Sequence, residues 1–167
     1  MRWGNRRIGF LAVCLAAALG LNDPPSRQES QPMTTSQLAQ LIRGIDPAAA
    51  QEGDSWRFAV DGIPVRVVAD PVHDRMRILA PVAEAKALSQ ADLARLMQAN
   101  FDTALDARYA IARGVVWAAF IHPLSPLTEV EFLSGIRQTL SLVRTYGTTF
   151  SSGALSFGGG DSEEVAP

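Results

Sequence analysis

SWRFAVDGIPVRVVAD, Ser55 to Asp70, is the stretch from which the fold is read. Trp56, Phe58 and Val60 alternate with Arg57 and Ala59, the period of a strand with one buried face. Asp61-Gly62 follows, two residues that tolerate positive φ and so suit a tight hairpin turn. A two-residue turn sets Val60 opposite Ile63, Phe58 opposite Val65 and Trp56 opposite Val67. One face of the hairpin is then wholly apolar, and Arg57 meets Arg66 on the other.

The pattern extends in both directions. Downstream, the loop DPVHD leads into a third strand, RMRILAPV, where Met76, Ile78 and Ala80 alternate with Arg75, Arg77 and Leu79. Upstream, Thr34 with Gln37 forms a capping box, each side chain meeting a backbone N–H at a helix start. Leu38, Leu41, Ile42 and Ile45 follow at helical spacing, and Gly44 and Pro47 mark the end. Ser89 with Asp92 starts a second helix, whose stripe is Leu93, Leu96, Met97, Asn100 and Phe101.

DARYAIARGVVWAAFIH, Asp106 to His122, reads as a second hairpin. A three-residue loop, Ala112 to Gly114, places Tyr109, Ile111, Val115, Trp117, Ala119 and Ile121 on one face. Arg108, Ala110, Val116, Ala118, Phe120 and His122 fall on the other. A two-residue turn, Arg113-Gly114, would instead put Arg108 on the Trp117 face; the first register segregates charge better and is preferred. Pro123 cannot donate to a ladder and stops the strand. Thr128 with Glu131 is a third capping box, with Ser125-Pro126 as a competing start. Val130, Leu133, Ile136, Leu140 and Val143 carry a last helix to a stop at Gly147.

The resulting order is α-β-β-β-α-β-β-α. It predicts an α+β domain over residues 34–150, a curved five-stranded antiparallel sheet packed with three helices. This order resembles the type III secretion chaperone-like fold, including the bacterial YbjN-like proteins. The resemblance is carried by VDGIPVRVV, DRMRILAPV, the run from LMQANF through HPLSPLTEVEF, and the final helix. It implies a non-enzymatic protein- or peptide-binding module of chaperone type, commonly a homodimer. In many relatives the second helix and last strands make the dimer contact, which here points to Leu93, Met97 and Phe101. A small-molecule or regulatory sensor domain is the alternative that the same resemblance carries.

Outside the domain, residues 1–21 have three arginines before an apolar run from Ile8 to Leu21, the layout of a secretory signal. The run is ~20 Å long as a helix, short for a ~30 Å hydrocarbon core, so no stable membrane span is expected. Translation from Met1 predicts export to the periplasm or beyond; translation from Met33, directly before the first helix, predicts a cytoplasmic protein. The one cysteine, Cys14, precedes the domain, so neither reading gives the domain a disulfide. Residues 22–33 read as a linker, and 151–167, Gly/Ser-rich and acidic at its end, as a disordered tail. A net charge of −2 argues against a nucleic-acid partner.

The candidate site is a face. Arg57, Arg66, Arg75, Arg77 and Arg108 fall opposite the apolar core, and the preferred register adds Val116, Phe120 and His122. Arginine among apolar residues is the composition of interfaces, and guanidinium forks suit carboxylates, so an acidic protein or peptide is the expected partner. A hydrolase built on His122 is a third reading, but no serine–histidine–acid order or metal-ligand spacing supports it. His73 and Asp74 read as loop, and Asp102 and Asp106 as turn and cap residues. FGGGD has no helix after it and is no phosphate loop, so no cofactor and no metal are expected.

Overall fold

A computed structural model describes residues 31–153. The signal-like segment, the linker up to residue 30 and the tail from residue 154 lie outside the described residues, as does Cys14. The elements run α1 (Thr35–Ile45), β1 (Ala50–Glu52), β2 (Ser55–Val60), β3 (Ile63–Asp70), β4 (Arg75–Glu84), α2 (Gln90–Asp102), β5 (Arg108–Ala112), β6 (Val115–His122) and α3 (Glu129–Thr145). A short 3-10 turn, Ala85–Ala87, precedes α2. No helix among the described residues is long and apolar enough to cross a membrane.

All three capping boxes form, at Thr34/Gln37, Ser89/Asp92 and Thr128/Glu131. The last of these settles the start of α3 in favour of Thr128. The sheet is antiparallel, in the order β1-β2-β3-β4-β6-β5. It has six strands rather than the expected five. The addition is β1, three exposed residues on the outer edge of β2. Too short to alternate and burying nothing, it leaves no hydrophobic signal in the sequence.

The first hairpin has the expected register, with Val60 opposite Ile63 and Trp56 opposite Val67. Asp61 and Gly62 both take positive φ, 52° and 77°. The second hairpin corrects the preferred reading. It turns on two residues, Arg113 (φ 53°) and Gly114 (φ 76°), with Ala112 opposite Val115 and Arg108 opposite Ala119. Both hairpins therefore use the same left-handed pair of turn residues, the geometry that matches strand twist. The faces of β6 exchange as a result. Val116, Ala118, Phe120 and His122 lie with Met76, Ile78 and Ala80, and Trp117, Ala119 and Ile121 lie with Arg77 and Leu79.

One face of the sheet carries the core. Leu38 and Ile42 of α1, with Phe132, Ile136 and Leu140 of α3, join Trp56, Phe58, Val67, Ile78, Val116 and Phe120 there. The buried Tyr109 donates its hydroxyl to the Leu142 carbonyl at 2.7 Å, and burial pushes its ionisation up to about 12. Gly135 lies against Phe120: a Cβ at Gly135 would sit 2.7 Å from the Phe120 ring. Helix α2 packs on the edge strand β5 and adds Leu96 and Ala99 to the same core.

Candidate functional site

The open face of the sheet is built by alternation from β2 to β6. Because neighbouring strands are in register, one transverse row reads Arg57, Arg66, Leu79, Ala119, Arg108. The adjacent row reads Ser55, Val68, Arg77, Ile121. Together they form a groove of about 400 Å³, floored by Val68, Leu79, Ala119 and Ile121, walled by Trp117, and rimmed by Arg66, Arg77 and Arg113. A second trough of about 440 Å³ continues from Val68, Arg77 and Leu79 toward Arg75, Asp70 and His73.

The arginines of this face are exposed and only lightly engaged. Arg66 donates through Nε to Ser55 Oγ at 3.1 Å, and Arg57 lies 3.5 Å from Glu52. Arg75 donates to the Asp74 carbonyl at 2.8 Å. Arg108 donates to the carbonyls of Leu105 and Ala107. Arg77 and Arg113 have no hydrogen bond or ion pair among the described residues. Asp70, at the far end of the trough, is already held: His73 Nδ1 lies 2.7 Å from its carboxylate and keeps that group below the usual carboxylate range. Free guanidinium forks over an apolar floor can grip carboxylates in pairs while apolar side chains between them leave water.

Of the predicted face residues, Arg57, Arg66, Arg75, Arg77 and Arg108 are brought together. Val116, Phe120 and His122 are not: they sit on the helix-covered side, where Val116 is 0% and Phe120 3% exposed. Trp117, Ile121 and Arg113 take their place. The alternative two-residue turn was the signal that would have found Trp117 and Ile121.

His122 lies in a pocket of about 240 Å³ between β6 and α3, with Asp106, Glu131, Ser134 and Gln138. Its ring stacks on Phe120, and its Nδ1 faces the Pro123 carbonyl at 2.7 Å. Its Nε2 is 4.0 Å from Glu131. Glu131 accepts from the Thr128 hydroxyl and N–H, and the hydroxyl bond above all lowers its pKa. Gln138 accepts from the N–H groups of Asp106 and Ala107 and donates to Asp106 and Ser134. Each polar group here closes a helix cap or ties the α2–β5 loop to α3, and Ser134 meets Gln138 rather than the histidine.

Asp74 is likewise structural. Its carboxylate accepts from Ser125 N at 2.6 Å and Ser125 Oγ at 2.8 Å, joining the β3–β4 turn to the β6–α3 loop. These bonds hold its pKa below the usual range. Among the described residues, no three His, Cys, Asp or Glu side chains cluster as a metal would need.

The second candidate face is the outer side of α2. Leu96 and Ala99 are buried against the domain, and Asn100 bonds both the N–H and the carbonyl of Tyr109 on β5. That pairing occupies part of the free strand edge. Met97 and Phe101 point away, 60% and 80% exposed, and Ile111 of β5 is also exposed. Leu93, half-buried, joins Met97 and Ile111 around an apolar groove of about 250 Å³.

No family model matches the chain, and no curated protein matches it. Solved structures do. The ExsC–ExsE complex matches with a TM-score of 0.53 and 17% identity, over 68% of this chain and 96% of the matched one. The HopA1–SchA chaperone–effector complex matches with a TM-score of 0.52 and 13% identity, over 69% and 98%. The Yersinia pestis type III secretion chaperone SycH, in complex with a stable fragment of YscM2, matches with a TM-score of 0.54 and 12% identity, over 68% and 100%. The fold is that of the type III secretion chaperones.

Proposed function

We propose that this chain is a non-enzymatic, chaperone-like protein-binding module that grips a carboxylate-bearing segment of another protein on its open sheet face. The observation that carries the reading is the groove itself, with Arg66, Arg77 and Arg113 around an apolar floor. The solved structures of this fold, which include a chaperone–effector complex and a secretion chaperone with a protein fragment, support a protein partner. Within the fold, the proposal places the chain with the YbjN-like proteins, on the strength of its segment pattern.

Peptides selected on the wild-type protein from a displayed random library are expected to carry two or more carboxylates flanking apolar residues. R66E/R77E should weaken them at least about a hundredfold, since a hydrogen bond to a charged group is worth ~1.5–3 kcal/mol and two are lost. Both side chains are exposed, so the urea midpoint should stay put. Unchanged peptide affinity in the folded double variant would rule out the face.

The same proposal makes the protein a homodimer through α2. Met97 and Phe101 are large, apolar and turned away from their own core. Because Asn100 occupies the edge of β5 at Tyr109, the contact is one of side chains rather than of an added strand. Sedimentation at micromolar concentration is expected to give a dimer for the wild type. M97E/F101E should give a monomer, with self-affinity at least about tenfold weaker, because carboxylates would have to be buried without partners. A wild-type monomer at that concentration would end this part of the reading.

A further inference from the structure

The open sheet face has a potential occupant in its own chain. We propose that the acidic segment Asp161–Glu164 docks intramolecularly on the arginine-rimmed groove and must be displaced by any partner. The inference rests on the reading of that face as a carboxylate-binding surface.

The first support is charge. Asp161, Glu163 and Glu164 stand within four residues, with Phe157 before them and Val165 after. Carboxylates beside apolar side chains are the chemistry that Arg66, Arg77, Trp117 and Ile121 offer to receive.

The second support is where the chain passes. After α3, Ser151 accepts from Ser141 at 2.8 Å and Thr145 at 2.9 Å through its carbonyl. The buried Ser152 donates its N–H to the Thr103 carbonyl at 3.3 Å, and its hydroxyl accepts from Leu105 N. Gly153 lies against the Leu105 side chain, where a Cβ would sit 2.7 Å from Cδ1. The Leu105 carbonyl accepts from Arg108, the β5 end of the transverse arginine row. The last described residues are thus fastened to the loop that leads into β5, one residue contact from the Arg108 end of that row.

The third support is span. From Arg108 to Arg66 is three strand spacings, ~14 Å at ~4.8 Å each. Arg77 lies two strands across and two residues along, ~12 Å away. Asp161 follows Gly153 by eight residues, with three consecutive glycines and no proline between. A Gly-rich connection of that length has a root-mean-square reach of ~16 Å and a maximum of ~26 Å. A short flexible linker whose maximum reach exceeds the width of the arginine row gives an effective concentration on the order of millimolar. Even a weak intramolecular contact then competes measurably with an outside ligand.

The test uses the full chain, ¹⁵N-labelled, as wild type and as D161N/E163Q/E164Q, with the synthetic peptide SFGGGDSEEVAP as probe. The Arg66 and Arg77 Nε–H signals and the Val68 and Ile121 amides are expected to differ between the two chains, equally at low and high protein concentration. Added peptide should move the neutralised chain's signals toward the wild-type positions, with affinity about tenfold or more above that for the wild type. Superimposable signals and equal peptide affinities would overturn the inference. If that equal binding were still lost in R66E/R77E, the face would stand as a carboxylate site and only the intramolecular occupant would fall. If the peptide moved neither chain, both would fall. A difference that appears only at high concentration would assign the segment to a second copy and overturn the intramolecular form.

Discussion

Replacement of Trp56 by alanine is expected to lower the unfolding free energy by about 3–5 kcal/mol, a large share of the ~5–15 kcal/mol that holds a domain of this size. Trp56 is 0% exposed, and it shares the core with Leu38 and Ile42 of α1 and Val67 of β3. Removing the indole leaves a cavity that strands on both sides prevent from collapsing. Urea unfolding followed by far-UV circular dichroism gives the number without relying on the deleted fluorophore. Phenylalanine at the same position should cost less than half as much. It keeps an aromatic ring, and it removes the indole Nε1–H, which is buried and meets no acceptor among the described residues. An unpaired buried donor carries a desolvation penalty of ~1–3 kcal/mol, so deleting it offsets part of the lost packing. Equal losses for the two variants would show that this N–H contributes a real bond.

Gly135 is the second position where a large effect is expected. In an exposed helix, Gly→Ala gains ~1 kcal/mol of helix propensity. Here the added Cβ would lie 2.7 Å from Phe120 Cδ1 and 2.9 Å from Cγ, near the root of the ring, where the side chain cannot swing aside. G135A is expected to destabilise by about 1–3 kcal/mol net, and G135V by more, because overpacking forces the helix off the sheet. In a Phe120→Leu background the penalty of G135A should shrink by at least ~1 kcal/mol, the coupling that touching residues show. Additive losses in that double-mutant cycle would mean that Phe120 and Gly135 do not set the α3–sheet distance.

Sequence and structure differ most in β6. In β6, Val115 to Ile121 is apolar at every position, so the alternation that names a buried face is absent. With that signal missing, segregation of charge was the remaining guide, and it favoured a three-residue loop. The same loss of alternation sent Val116, Phe120 and His122 to the arginine face and hid Trp117 and Ile121. The arginines of β2, β3 and β4 were legible because each stands beside apolar neighbours in its strand, and Asp61-Gly62 fixes the register of the first two strands. Met97 and Phe101 were legible as members of the α2 stripe, and only the family resemblance implied that they face outward. Which of its members turn inward depends on β5, through the Asn100–Tyr109 pairing, and that is not local information.

By itself the sequence determined the three capped helices, the first hairpin with its register, and the α+β order, because each depends on chemistry within a few residues. Caps, paired turn residues and strict alternation act locally. The tertiary structure alone decided which side of β6 faces the helices, and therefore what floors the candidate groove. Two apolar faces leave the strand's orientation undetermined. Gly135, fifteen residues beyond Phe120, fits the orientation found, because its missing side chain lets α3 close over that ring.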